Sequence, residues 1–205
     1  MSPEGVSVSH RSDAIRIVLD RPPVNAFTVE MLGYITAVID GARADPRPML
    51  ITGSMHIFSA GFDVKHPAPD TPAVNAAARE CVTAIQQHPG PTVAAVEGAA
   101  VGLGLLIAAS VDILVVARTA QLRMPEVALG IAGDVQPLRR FLPDPWVRRL
   151  CLLGEAFSAE QVHLESAGAA VCEPGTARDR AEGIIAVMGG VDAGVLRRVK
   201  RRLGE

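Results

Sequence analysis

Between Glu97 and Asp112 the chain runs through 14 residues, Gly98 to Val111, that carry no charge. A bilayer-spanning helix needs roughly 18 to 20 apolar residues, so this stretch is too short to cross a membrane and belongs inside a protein core. Its flanks indicate how it is held. Thr92–Val96 before it and Asp112–Ala117 after it are short apolar runs, each predicting a strand. Between them, Gly98 to Gly104 reads as a Gly/Ala-rich turn and Leu105 to Ser110 as a buried helix. Strand, turn, helix and strand in that order predict a layered α/β domain.

The rest of the chain repeats the alternation. Val6–His10 and Ala14–Leu19 read as strands with a turn at Arg11–Asp13, and Arg21-Pro-Pro-Val-Asn25 then breaks regular structure. Thr28 is placed to cap a helix whose apolar positions are Met31, Leu32, Ile35, Val38 and Ile39. Asp45–Pro48 ends that helix, Met49–Thr52 predicts a buried strand, and a Gly/Ser/Asp/Pro-rich loop follows to about Pro72. Residues 73–88 predict a second helix. Beyond Pro125 the pattern predicts helices over 135–142, 145–153, 158–167 and, with breaks, 177–203, the last ending in the basic run Arg197–Arg202.

Composition narrows the functional classes. Apolar residues make up 49% of the 205, enough for a sizeable core, and with aromatics at 3% that core must be built from Ala, Val, Leu and Ile. Twenty basic against 22 acidic residues leave a net charge of -2, so no global field marks a nucleic-acid binder. Cys81, Cys151 and Cys172 are odd in number and far apart, which predicts neither a disulfide scaffold nor a Cys-ligated zinc site. His10, His56, His66, His88 and His163 have no paired ligand spacing, so no metal is expected. The opening MSPEGVSVSHR has no basic start followed by an apolar run, and a cytoplasmic location without a membrane span is expected.

Four segments carry chemistry in combination: Phe58-Ser-Ala-Gly-Phe-Asp-Val-Lys65; Ala95-Val-Glu-Gly-Ala-Ala-Val-Gly-Leu-Gly104; Asp112-Ile; and Met124-Pro-Glu-Val-Ala-Leu-Gly-Ile-Ala-Gly-Asp134. In this order and spacing the set resembles the crotonase (enoyl-CoA hydratase/isomerase) superfamily, from the first strand to about Val171. Taken singly, each glycine-rich loop is no more than a tight turn. The resemblance implies an α/β spiral of β-β-α turns with two roughly perpendicular sheets and an abbreviated helical C-terminus. It divides the chain into a core at 1–170 that binds acyl-CoA and a short helical region at 171–205. It also implies an acyl-CoA thioester substrate from fatty-acid metabolism, assembly as a homotrimer or hexamer, and no cofactor beyond the coenzyme A of the substrate.

Chemistry at the α-carbon of a thioester passes through an enolate-like state with charge on the thioester oxygen. Two preorganised backbone N–H groups aimed at that oxygen stabilise it, at about 3 kcal/mol per donor. By resemblance these are the N–H groups of Phe62 and Leu103. Gly61, Gly102 and Gly104 allow the backbone to turn sharply and approach a ligand. The short helix starting near Gly104 adds its positive end to the same field. Hydratases of the family hold a water between two glutamates. Six residues before Asp112 the first of those positions is Leu106, and fourteen after it the second is Glu126. With one carboxylate missing, ordinary syn-hydration is not implied. Moving a double bond needs only one carboxylate, which removes a proton and returns it two carbons along.

The pattern is therefore nearest to the enoyl-CoA and dienoyl-CoA isomerases. In the latter an acidic residue eight positions after the glutamate joins the proton shuttle, and Asp134 stands at that place. That branch also has an acidic residue at the position of Leu106, so the match is incomplete. Glu126 is the expected acid/base and Asp134 its expected partner, with Leu103, Leu105, Leu106 and Ile107 as an apolar wall that favours the protonated carboxyl. The plainer alternative makes Glu126 a first-turn helix residue after Pro125 and Asp134 an N-cap. By resemblance, coenzyme A lies along Ser59, Ala60, Gly61, Asp63 and Val64 and near the Arg21–Asn25 turn at Val24. Lys65 is the nearest cation for a phosphate, Gly102 and Leu106 complete the substrate site, and His66 adjoins the loop. The competing readings are a hydratase with altered machinery and a non-catalytic acyl-CoA-binding protein.

Overall fold

A computed structural model describes residues 3–54, 56–63, 65, 71–132 and 135–204. Among them nine strands and six helices alternate along the chain. They are β1 (Val6–His10), β2 (Ile15–Leu19), α1 (Val29–Gly41), β3 (Met49–Gly53), α2 (Pro72–Gln87), β4 (Thr92–Val96), β5 (Ala99–Val101), α3 (Leu103–Ala109), β6 (Ile113–Ala117), β7 (Gln121–Arg123), α4 (Asp144–Leu153), β8 (Ala156–Ser158), β9 (Ala170–Cys172), α5 (Ala177–Gly189) and α6 (Ala193–Leu203). The larger sheet has the order β1-β2-β3-β4-β6-β9, antiparallel only between β1 and β2. The smaller sheet is β5-β7-β8, parallel between β5 and β7 and antiparallel between β7 and β8.

The central strands show why the sequence reads as apolar runs rather than as alternation. Parallel strands covered on both faces bury every side chain, and all five residues of β4 are buried. One face meets α1, α2 and α3 in a core that includes Ile17, Leu32, Ile35, Phe58, Ile85 and Leu106. The other face is covered by α5 through Leu50, Val93, Ala95, Val115, Ala181 and Ile185. α5 is fixed there by polar ties as well. The Arg16 guanidinium reaches Glu182 at 2.8 Å, and the Glu97 carboxylate accepts the N–H of Gly175 at 3.1 Å and of Ala177 at 2.7 Å. The expected division near residue 170 falls within β9, whose neighbour α5 packs on the large sheet.

Local chemistry explains both the agreements and the differences. Thr28 caps α1, its hydroxyl accepting the Met31 N–H at 3.2 Å, an interaction worth about 1 kcal/mol. Gly98 to Gly104, expected as one turn, contains β5, and α3 begins at Leu103 rather than Leu105. The helix expected over 158–167 is reduced to a 3-10 turn, Leu164–Ala167. Ser158 and Gln161 do form the reciprocal cap that suggests one, at 2.8 and 3.1 Å, but His163 and Gly168 take left-handed backbone conformations that stop propagation. The segment expected at 135–142 is a 3-10 turn, Gln136–Arg140. Strands β7, β8 and β9 had no counterpart in the sequence reading, because three residues carry too little periodicity to reveal a strand.

Candidate active site

The first glycine loop is braced by the turn before α1. Asn25 is fully buried with φ 51°, and its side-chain oxygen accepts the Arg21 N–H at 2.9 Å. Its amide group donates to the carbonyls of Ile57 at 3.1 Å and Phe58 at 3.3 Å. Ser59 Oγ donates to the Asn25 carbonyl at 2.7 Å and accepts the Gly61 N–H at 3.0 Å. The backbone continues the lacing through Ala60 N–H to Val24 O, Phe27 N–H to Gly61 O and Asp63 N–H to Phe27 O. In a parallel pairing of this kind the intervening Phe62 N–H faces away from Phe27. Among the described residues it has no acceptor.

The second glycine segment lies directly against the first. Ser59 pairs with Ala100 in a parallel bridge, and Gly104 packs so closely on Ser59 that a methyl there would lie 2.8 Å from the serine Cβ. Gly61 has φ 92°, and a methyl on it would lie 2.8 Å from Val101 O and 3.5 Å from the Leu103 nitrogen. Leu103 opens α3, so its N–H is one of the first-turn donors without an intrahelical partner, and it too has no acceptor among the described residues. The Phe62 and Leu103 segments thus come side by side, each with an amide free to donate.

Both border a cavity of about 350 Å³ that also takes in Ala60, Gly61, Gly102, Leu106 and Glu126. Glu126 sits in the first turn of a 3-10 segment, Pro125–Leu129, as a Pro-Glu start suggests. Its carboxyl lies over Gly102, where φ is 53° and any methyl would collide with Glu126 Oε1. Oε2 is buried and has no hydrogen-bond partner among the described residues. Burial pushes the Glu126 pKa above its ordinary value, an effect its own backbone N–H partly offsets. The Cys151 thiol on α4 is pushed up by burial and then by the Glu126 charge, and α4 packs against the Pro125–Leu129 turn.

Other expected site residues fall elsewhere. Ser59 is buried with its hydroxyl engaged on both sides. Asp63 pairs with Arg21 at 2.7 Å and accepts the Lys65 N–H at 3.0 Å, so its carboxylate organises the loop. Val24 and Lys65 are exposed and lie off the cavity wall. Leu103 and Leu106 line the cavity, whereas Leu105 turns into a separate small pocket against Leu138 and Phe141, and Ile107 is buried in the core. The expected four-residue wall is corrected on that point, since a helix shows one stripe to any neighbour. Val64, His66 and Asp134 lie outside the described residues. The sequence reading missed the wall formed by α2, including Asn75, Ala78, Arg79 and Val82. Its signal was polar residues at helical spacing, which by themselves indicate only a solvated face.

Two neighbouring main-chain donors bordering one cavity, with a carboxyl seated beside the second of them, form an arrangement suited to a carbonyl that must gain charge while a proton moves. Comparison with known proteins identifies the family. The family model for enoyl-CoA hydratase/isomerase matches residues 10–168. Carnitinyl-CoA dehydratase of Salmonella enteritidis PT4 is 32% identical over 168 residues, covering 77% of this chain and 64% of that protein. The chain therefore spans a little under two thirds of the length of such relatives. Pseudomonas aeruginosa DspI aligns with a TM-score of 0.87 at 26% identity, over 98% of this chain and 80% of the other. An enoyl-CoA hydratase/isomerase from Xanthobacter autotrophicus Py2 gives 0.85 at 27% identity, over 98% and 78%. By sequence and by fold, the chain belongs to the enoyl-CoA hydratase/isomerase family, the crotonase superfamily.

Proposed function

We propose that the protein acts on enoyl-CoA thioesters and moves a carbon–carbon double bond, with Glu126 as the acid/base. The thioester oxygen accepts hydrogen bonds from the Phe62 and Leu103 N–H groups. Glu126 removes a proton from the α-carbon of a β,γ-enoyl group; the electrons of that C–H bond form a double bond to the carbonyl carbon as the carbonyl π pair moves onto the thioester oxygen, giving a dienolate. The same carboxyl returns the proton to the γ-carbon, leaving the double bond conjugated with the carbonyl. Nothing is gained or lost, so a single carboxyl suffices. The observation that carries this reading is the Glu126 carboxyl seated on Gly102, next to the Leu103 amide, with Leu106 and not an acid on the facing helix. A raised pKa suits a group that must both take and give a proton near neutral pH.

A second reading, hydration or dehydration of an enoyl thioester, is favoured by the name of the Salmonella relative. One set of measurements separates the readings. With a β,γ-enoyl-CoA in deuterated water, isomerisation predicts a conjugated product and α-proton exchange, and Glu126→Gln lowers both by about 10²- to 10⁴-fold while acyl-CoA still binds. Conversion of a conjugated enoyl-CoA to its hydroxyacyl product favours hydration instead. Tight binding with neither reaction identifies an acyl-CoA-binding protein, and undiminished exchange in Glu126→Gln removes Glu126 from the mechanism.

A further inference from the structure

Helix α2 forms the wall that the proposed chemistry does not use. Asn75, Arg79, Thr83 and Gln86 all line the cavity, and their spacing of four, four and three residues sets them in one row along the helix. The same cavity is lined by Val74, Ala78 and Val82 from α2 and by Leu103, Leu106 and Pro137, so an acyl chain has apolar contacts and the polar row is left to serve a polar end. Arg79 is exposed into this space and has no ion-pair or hydrogen-bond partner among the described residues. Among the described residues that line the cavity it is the only cation, and Glu126 the only acid. A purely hydrocarbon tail laid along this row would strip water from these groups and return nothing to them. A guanidinium instead matches a carboxylate, which it can meet with two parallel hydrogen bonds.

Resting on the acyl-CoA reading above, we infer that Arg79 is a specificity residue that selects acyl groups ending in a carboxylate, the mono-CoA thioesters of short dicarboxylic acids. The reacting end of such a substrate meets the Phe62 and Leu103 amides and Glu126, and its far end meets Arg79, with Thr83 and Gln86 beside it. The same charge disfavours an acyl group that carries a cation.

The test compares three saturated thioesters by calorimetry: glutaryl-CoA, the uncharged pentanoyl-CoA of equal chain length, and 4-(trimethylammonio)butanoyl-CoA. The native protein should bind glutaryl-CoA about tenfold more tightly than pentanoyl-CoA, with the cationic thioester weakest. Arg79→Met should bring glutaryl-CoA and pentanoyl-CoA level without changing the affinity for pentanoyl-CoA. Arg79→Glu should reverse the order and favour the cationic thioester. Equal affinities in the native protein overturn the inference. So does a uniform loss across all three thioesters and free coenzyme A in Arg79→Met, which would assign the guanidinium to the coenzyme phosphates. If the native protein bound no thioester at all, the acyl-CoA reading would fail with the inference. Binding of all three without discrimination removes the inference alone.

Discussion

Phe62 and Glu126 meet at one cavity, yet they stand on supports built in opposite ways. Phe62 lies in a segment tied on both sides: Asn25 and Ser59 are fully buried and spend their polar atoms on the surrounding backbone, and Arg21 clamps Asp63. Glu126 rides on a single 3-10 turn that buries none of its residues, with Val127 and Leu129 left 46% and 53% exposed. The difference suits what the proposed chemistry asks of each. Amides that stabilise a developing charge gain their effect by being in place beforehand, since reorganisation would consume it. A carboxyl that accepts a proton from one carbon and delivers it to another must reach two positions, so a lightly held support suits it. The first side is built as a scaffold and the second is lightly tied.

That contrast can be broken experimentally. The largest effect is expected from Gly102→Ala, because the new methyl occupies the space of the Glu126 carboxyl. Proton exchange should fall by about 10²-fold or more, while acyl-CoA affinity, read by calorimetry, stays within a few-fold. Equal losses of both would mean that the two sides are not separable. Next comes Asn25→Ala, which leaves the carbonyls of Ile57 and Phe58 without their donor and puts alanine in a left-handed conformation. Chemical denaturation should show a loss of about 2–4 kcal/mol. A loss below about 1 kcal/mol would deny that this side is rigid by construction.

Smaller again, Arg21→Met removes the partly exposed ion pair to Asp63. It should lower kcat by about tenfold with KM nearly unchanged and stability altered by no more than about 1 kcal/mol, Arg21→Lys restoring part of the loss. The smallest effect is one of pH. Glu126 binds its proton more tightly in the folded chain, so stability declines as pH rises from the ordinary value of 4.5 through the raised one. Glu126→Gln should therefore raise the thermal midpoint at pH 7 more than at pH 4. An equal shift at both values would show that the carboxyl is not held in a desolvated place.

The two sides also differed in how far they could be read before any coordinates. The glycines of both loops, the Thr28 cap and the runs that became β3, β4 and β6 were legible because each depends on local chemistry: φ sign, capping geometry, or a strand buried on both faces. The roles of Ser59 and Asp63 were not, since a hydroxyl or carboxylate in a loop reads the same whether it meets a ligand or ties its own backbone. Only the distances to Asn25 and Arg21 decide between these. The α2 wall was hidden for a related reason. Asn75 and Arg79 look like any solvated helix face until the fold sets α3 and the Pro125–Leu129 turn opposite them. Three-residue strands such as β5, β7 and β8 owe their existence to partners distant in the chain.

Helix α5, which covers the far face of the large sheet, bears on how the chain emerges from the ribosome. Leu50, Val93, Ala95 and Val115 belong to strands made early, and the α5 residues that cover them, Ala181 and Ile185, are made much later. Through that interval the nascent sheet presents an uncovered oily surface, the state in which chains most readily stick to one another. Demand for chaperones should peak then, and a ribosome stalled shortly before residue 177 should release an insoluble product, although every described residue lining the cavity beside Glu126 has already been synthesised.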